Sequence, residues 1–272
     1  MYSKKFSLRK ITTMLIVAMA VTMFYSCDDD SDAEGKARVK VSMTDAPGDY
    51  KNVFIDVQDV KVKSNISADE EGWVSLSGVE PRIYDLLELT GGVTQLLANS
   101  ELETGTLGQI RVILGPDNTL VLNDGSEVPL STPSAQQSGL KLQVNQELQA
   151  GMEYEYLLDF DVDQSIVRSG NSGGYILKPV IRLVNLESTG TIEGEVQPSL
   201  SQSVVKAANA NHNITAYAAT DGKFSLNGVP PGTYQVTVTP AIASGLEVKV
   251  INNVQVSSGA SVDLDVIFLN EL

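Results

Sequence analysis

Met152-Glu153-Tyr154-Glu155-Tyr156-Leu157-Leu158-Asp159-Phe160-Asp161-Val162 decides the fold class. Successive side chains of a strand point to opposite faces, so Met152, Tyr154, Tyr156, Leu158, Phe160 and Val162 share one face. Glu153, Glu155, Leu157, Asp159 and Asp161 share the other. The same alternation of β-branched and polar residues, broken by frequent turn residues, runs through most of the chain. It predicts an antiparallel, all-β architecture with one or two short helices.

Towards the N-terminus, Ala37 to Met43 reads as a first strand with Val39 and Val41 on one face and Lys40 and Ser42 outward. Thr44-Asp45-Ala46-Pro47-Gly48-Asp49 is turn chemistry. From Asn52 to Lys63 the apolar parity changes between Val57 and Val60, which places a β-bulge near Gln58-Asp59. A polar, acidic loop from Asn65 to Gly72 precedes the short strand Trp73-Val74-Ser75-Leu76, which holds the single tryptophan. Ile83 to Ala98 breaks the β pattern, with Gly91-Gly92 as a turn and a short helix predicted to begin near Thr90 to Val93. Gln109 to Leu114 is a strand. Thr119 to Leu122 and Glu127 to Leu130 flank Asn123-Asp124-Gly125, a hairpin signal because glycine tolerates positive φ. Leu140 to Val144 continues the sheet.

On the C-terminal side of the opening stretch, Asp163 is the expected N-cap of a helical turn through Val167. Tyr175 to Val184 reads as a strand whose Pro179 demands an edge or a bulge. Leu157 to Val167 followed by Tyr175-Ile176-Leu177-Lys178-Pro179-Val180-Ile181-Arg182 resembles the end of a bacterial domain-of-unknown-function family, DUF4382. Val41-Ser42-Met43-Thr44-Asp45-Ala46-Pro47 and Asp85-Leu86-Leu87-Glu88-Leu89 are similar to its opening and middle. The resemblance covers residues 36–187 and implies a β-rich extracellular lipoprotein domain, with no catalytic residues to carry over.

A new β module begins after Glu187-Ser188-Thr189-Gly190, with strands expected at Thr191 to Val196, Ile214 to Ala219, Lys223 to Leu226, Thr233 to Thr239, Leu246 to Val250 and Val262 to Phe268. The run from Ile214 through Thr220-Asp221-Gly222 and Gly228-Val229-Pro230-Pro231-Gly232 to Tyr234 resembles the carboxypeptidase-regulatory-like domain, a transthyretin-like β-sandwich with a carbohydrate-binding-like fold. That resemblance spans residues 188–272 and implies that Phe224, Leu226, Tyr234 and Val236 pack between two sheets, with a short hairpin at Tyr217 to Asp221. The expected fold is therefore two tandem β-sandwich-like domains meeting near Glu187 to Thr191, each folding alone.

The N-terminus says where such a protein works. Lys4, Lys5, Arg9 and Lys10 precede an apolar run of about 14 residues from Ile11 to Phe24, the pattern of a signal peptide over residues 1–26. That run is too short to span a bilayer. Tyr25-Ser26-Cys27 resembles a bacterial lipobox, in which cleavage precedes the cysteine and fatty chains such as palmitate are attached to it. Several chains on one residue anchor stably. Asp28, Asp29 and Asp30 open an acidic tether over residues 27–35, which resembles the signal sending lipoproteins of Bacteroidota to the outer face of the outer membrane. Cys27 is the only cysteine, so no disulfide supports the fold. The net charge of -15 disfavours nucleic acid and anionic lipid as partners, leaving the lipid anchor as the membrane contact.

No constellation points to catalysis, and no cofactor is expected. His212 is the single histidine and lies in the polar loop Asn209-Ala210-Asn211-His212-Asn213, where a solvated side chain is expected. Asp159, Asp161 and Asp163 are candidate calcium ligands, but carboxylates along a flat strand converge poorly and a solvated face is the better reading. Trp73, beside the Asn65 to Gly72 loop, is the candidate ligand contact, set against a half-buried packing role. The function expected is a surface-anchored, non-catalytic binding module for a glycan or protein. The alternatives are a structural or fibre-assembly role, which a C-terminal donor strand would favour, and a carboxylate-dependent glycosidase.

Overall fold

The alternation between Met152 and Val162 does what a period of two dictates. Glu153–Asp161 is a strand with Tyr154, Tyr156, Leu158 and Phe160 buried on one face. Leu157 is buried on the other, beside the equally buried Val184, so both faces of this strand are covered. The structure is a computed structural model that describes residues 35–46, 48–64, 69–132, 139–170, 173–201 and 203–272. The signal segment 1–26, Cys27 and Asp28 to Asp30 lie outside the described residues, as do Pro47 and part of the Asn65 to Gly72 loop.

The first half holds β1 (Lys36–Ala46), β2 (Asn52–Lys63), β3 (Val74–Ser75), β4 (Arg82–Asp85), β5 (Gln95–Glu103), β6 (Gly105–Leu114) and β7 (Thr119–Val121). It continues with β8 (Glu127–Ser131), β9 (Leu140–Leu148), β10 (Glu153–Asp161), β11 (Ile166–Ser169), β12 (Gly174–Leu177) and β13 (Ile181–Asn185). One sheet runs β13-β10-β1-β5; the other runs β11-β12-β8-β7-β2-β6-β9, with β3 and β4 also paired to β2. Their inner faces close over one core that includes Val39, Val41, Met43, Ile55, Val60, Ile110, Tyr156 and Phe160. β1 and β10 run parallel, with Thr44 beside Asp159 and Asp45 beside Phe160. The antiparallel expectation therefore fails at this central pair, and again where β12 runs parallel to β8 and β20 parallel to β14.

The second half holds β14 (Gly190–Gln197), β15 (Val204–Ala208), β16 (Asn213–Tyr217), β17 (Lys223–Val229), β18 (Gly232–Thr239), β19 (Lys249–Val256) and β20 (Ser261–Phe268). Sheets β17-β14-β20 and β16-β15-β18-β19 enclose a second, separate core around Phe224, Leu226, Tyr234 and Val236. The whole of residues 35–272 nevertheless forms one unit, for reasons that lie at the junction of the halves.

Several local expectations hold. The β2 register shifts between Val57 and Asp59, where the parity change placed a bulge. β7 and β8 form the expected hairpin, with Gly125 at φ +85° donating its N–H to the Leu122 carbonyl. Others need correction. The helical element near Gly91-Gly92 precedes the glycines: Leu86–Leu89 is a 3-10 turn because Asp85 accepts the Leu87 N–H, and the residues after the glycines form β5. Asp161, not Asp163, caps the one-turn helix α1 (Val162–Ser165) by accepting the Gln164 N–H. Tyr175 to Val184 is two strands in different sheets, with Pro179 at the corner where no ladder bond is demanded of it. Ser42 is buried rather than outward. Tyr217 to Asp221 leads into a short turn, closed by the Gly222 N–H on the Ala219 carbonyl and the Ala219 N–H on the Lys223 carbonyl, but it carries the chain from one sheet to the other, and β15 lies in a stretch where no strand was expected.

Among the described residues three that are not glycine take left-handed φ: Asn145, Asn253 and Asp265. Each sits on an edge strand, β9, β19 or β20, where two residues oppose one on the neighbour. Asn and Asp tolerate that conformation best after glycine. Bulges of this kind twist an open edge away from further pairing.

Candidate functional site

The chemistry-bearing side chains gather where the two halves meet. Asp159 projects from β10 and accepts both the Arg182 Nη2–H (2.7 Å) and Nε–H (3.1 Å) on its Oδ2. Arg182, one strand away on β13, donates onward to the backbone carbonyls of Gly228 (2.7 Å) and Asn227 (3.2 Å) in the second half. The guanidinium is suited to this because its planar fork presents several donors at once. The Ser225 N–H and the Asn227 side-chain amide meet the carbonyls of Gly91 and Gly92, each at 3.1 Å. Both sides need glycine here. A Cβ on Gly92 would lie 2.3 Å from the Ser225 Cβ, and one on Gly228, at φ +66°, would lie 2.4 Å from a Val184 methyl.

Asp45 ends β1 beside this clasp. It is 4% exposed, and among the described residues no well-formed hydrogen bond reaches either carboxylate oxygen. Burial pushes its carboxyl up to about 10, helped by the charges of Asp159, Asp161 and Asp85 and opposed by the nearby Val162 backbone. Asp159 is also raised, mainly by burial, with Arg182 holding it back. Because Asp45 holds its proton far more tightly folded than unfolded, it weakens the fold progressively as pH rises from about 4 towards about 10. In metal-free buffer the stability of Asp45→Asn, measured against wild type by urea denaturation, should therefore improve as pH is raised from 5 to 8. A difference constant with pH would show that Asp45 titrates normally.

Other residues singled out from the sequence are dispersed. Asp161 caps α1, and Asp163 is exposed. Asp159, Asp161 and Asp163 do not form a ligand set, and no three His, Cys, Asp or Glu side chains converge on a metal position among the described residues. His212 is exposed, its backbone N–H held by Asn209 Oδ1. Trp73 is half-buried. The Arg111 guanidinium lies 4.0 Å from its ring centre and the Lys63 ammonium 5.7 Å, so part of its π surface is committed to cations. Arg111 and Lys141 both pair with Glu70, whose carboxyl they hold below its usual range, Lys141 first; Lys63 pairs with Asp69. The indole N–H is buried without a partner among the described residues.

Sequence reasoning missed Asp45 and Arg182. Thr44-Asp45 was read as turn, but Thr44 Oγ1 is engaged with the Leu89 and Val93 carbonyls and the strand runs on. An open groove of about 860 Å³ also spans the junction, lined among others by Glu88, Thr90, Val93, Leu200, Tyr217 and Ile242. No helix among the described residues is long and apolar enough to cross a membrane.

Fold and junction define a class: a tandem pair of β-sandwich modules clasped by a half-buried arginine. The chain belongs to the family described as a domain of unknown function, DUF4382, whose model matches residues 36–179. Residues 189–264 match a different model, polysaccharide lyase family 4, domain II, in place of the carboxypeptidase-regulatory-like label expected there. No curated protein matches the chain. Solved structures similar to it include a type II cohesin–X–dockerin complex from Acetivibrio cellulolyticus, at 20% identity over 30% of this chain and 58% of that one, TM-score 0.25. A streptococcal ancillary pilin is similar at 15% identity over 86% and 62%, TM-score 0.24. BcpA, the major pilin subunit of Bacillus cereus, is similar at 13% identity over 87% and 71%, TM-score 0.24. This chain thus spans less than two thirds of the length of the first two, and likeness at such scores carries no functional weight.

Proposed function

We propose that the chain is a lipoprotein of the outer membrane, facing the cell exterior, whose paired β modules form a non-catalytic binding unit for a glycan. One observation carries the location: the lone Cys27 follows a basic n-region and a short apolar run, and three aspartates follow it. The glycan is preferred over a protein ligand because the second module matches a domain named for polysaccharide lyases. A carbohydrate-binding-like fold of the carboxypeptidase-regulatory kind would suit the same role. The junction groove, with Tyr217, Glu88 and Thr90 on its walls, is of a size usual for ligand sites; Trp73 is the second contact to test. A fibre role is less favoured, because β20 is taken up in its own sheet parallel to β14 and the outer edges carry bulges.

Cys27→Ala is expected to lose incorporation of a fatty-acid analogue, and Asp28-Asp29-Asp30→Ala to become protected from protease added to intact cells. Labelling that persists in Cys27→Ala would remove the anchor. On a glycan array, loss of binding in Tyr217→Ala would place the ligand in the groove and loss in Trp73→Ala would place it beside the acidic loop. Turnover of a glycan by the purified protein, lost on removing one carboxylate, would overturn the non-catalytic reading.

A further inference from the structure

A band of cations crosses the outer face of the sheet that contains β2, β6 and β9. Lys61 on β2 stands opposite Arg111 on β6, and Arg111 opposite Lys141 on β9, so the three side chains form one row. Lys63 lies two residues from Lys61 on the same face, next to Trp73, while Val60, Val62, Ile110 and Val112 belong to the core beneath. The chain as a whole carries a net charge of -15, so the band is a local reversal of sign. Arg111 and Lys141 share a single carboxylate: Glu70 Oε2 accepts from Arg111 Nη2 at 2.7 Å and Oε1 from Lys141 Nζ at 2.5 Å. Among the described residues neither cation has a second acidic partner, so the trio holds one positive charge in excess. Arg111 is 7% exposed, and among the described residues neither its Nε–H nor the buried Trp73 indole N–H has a partner. The Glu70 side chain, by contrast, is 60% exposed.

We propose that Arg111 and Lys141 form a binding site for the carboxylate of an acidic sugar, which Glu70 fills as an internal counter-ion when no ligand is bound. A guanidinium this far out of water is costly without an anion beside it. The partner it has is a weak one, because an exposed carboxylate gains little from an ion pair over its contacts with water. Each cation takes its own oxygen of Glu70, an arrangement that suits a planar two-oxygen group. Trp73 is half-buried beside the pair, with the Arg111 guanidinium 4.0 Å from its ring centre, and its exposed part gives a sugar ring an apolar flank. Long polyanions are repelled by the net charge, whereas a single acidic sugar feels chiefly the local excess of cations. The choice of a sugar rests on the glycan reading above; the choice of a carboxylate rests on this face alone. The site is built by β2, β6 and β9 of the first half and uses no residue of the junction groove.

The single tryptophan lets the site report on itself. Fluorescence of the full chain is titrated with methyl glucuronoside, methyl glucoside and sodium sulfate at constant ionic strength. Wild type is expected to respond to the glucuronoside and not to the glucoside. Glu70→Gln removes the internal competitor and should tighten the midpoint by up to about fivefold, the worth of an exposed ion pair. Lys141→Gln should weaken it by about tenfold or more, as for a lost hydrogen bond between charged groups. A salt bridge that merely braces the face predicts the opposite sign for Glu70→Gln, with binding weakened. That result would overturn the proposal, as would no glucuronoside response in Glu70→Gln, an equal response to sulfate, or an unchanged midpoint in Lys141→Gln. Glu70 is exposed and Lys141 partly so, which makes both substitutions compatible with folding. Tyr217→Ala should leave the titration as it is; a response lost there would assign the ligand to the groove and remove this site, while neutral glycans bound on the array without any glucuronoside response would remove this site and keep the groove.

Discussion

Gly228→Ala is expected to lower the stability of the whole chain by about 3 kcal/mol, from about 1 to 2 for a side chain at left-handed φ and about 1 to 3 for overpacking. The clash is with Val184, itself buried, whose two methyls and Cβ would all lie within 3.1 Å of the new carbon. The Gly228 carbonyl is also an acceptor of the Arg182 clasp, so any shift that relieves the contact loosens that bond. Gly151→Ala supplies the control. It has φ +73° but nothing within 4 Å of an added Cβ, so it should cost only the backbone part, about 1 kcal/mol. Urea midpoints at unchanged slope would give both numbers. Equal losses in the two variants would mean that the junction has slack.

Phe224→Ala is expected to cost about 3 to 5 kcal/mol, the range for a buried aromatic truncated in a core. Phe224 is 3% exposed, and its ring packs over Gly194 so closely that an added Cβ there would sit 3.0 Å away. Truncation leaves a cavity between the two sheets of the second module, in a core whose other buried aromatic among the described residues is Tyr234. Sequence reasoning would confine that loss to the second module. The junction argues otherwise: Ser225 and Asn227, on the same strand as Phe224, carry the hydrogen bonds to Gly91 and Gly92. Loosening β17 therefore removes partners from the first half as well. Both cores are expected to melt together, at a lower temperature, in this variant.

The residues that revealed themselves in the sequence did so through period and turn chemistry. The alternation of Tyr154 to Phe160, the Asn123-Asp124-Gly125 hairpin and the parity change at Gln58-Asp59 each concern neighbours in the chain, where geometry is local. Phe224, Leu226, Tyr234 and Val236 were placed between sheets through a resemblance, and all four are buried. What stayed hidden was set by partners far along the chain. Nothing local tells Asp85 to cap a turn, yet with its carboxylate also binding Asn52 and the Val53 N–H it does so four residues before the expected helix. The strand expected at Leu246 to Val250 lies instead at Lys249–Val256, with a bulge at Asn252-Asn253 within it. Asp45 gave no signal, because its burial follows from a parallel pairing over a hundred residues in sequence and from a module the local pattern does not mention.

Coupling of the two modules through the Arg182 clasp is the claim on which the binding groove rests. Trp73 offers a direct reading, because the single tryptophan lies in the first half while Phe224 lies in the second. Thermal unfolding of wild type and Phe224→Ala would be followed by tryptophan fluorescence, which reports the first module, and by far-ultraviolet circular dichroism, which reports both. The account predicts one transition, coincident by the two probes, that moves down as a whole in Phe224→Ala. A fluorescence midpoint left unmoved while the circular dichroism splits into two steps would contradict it.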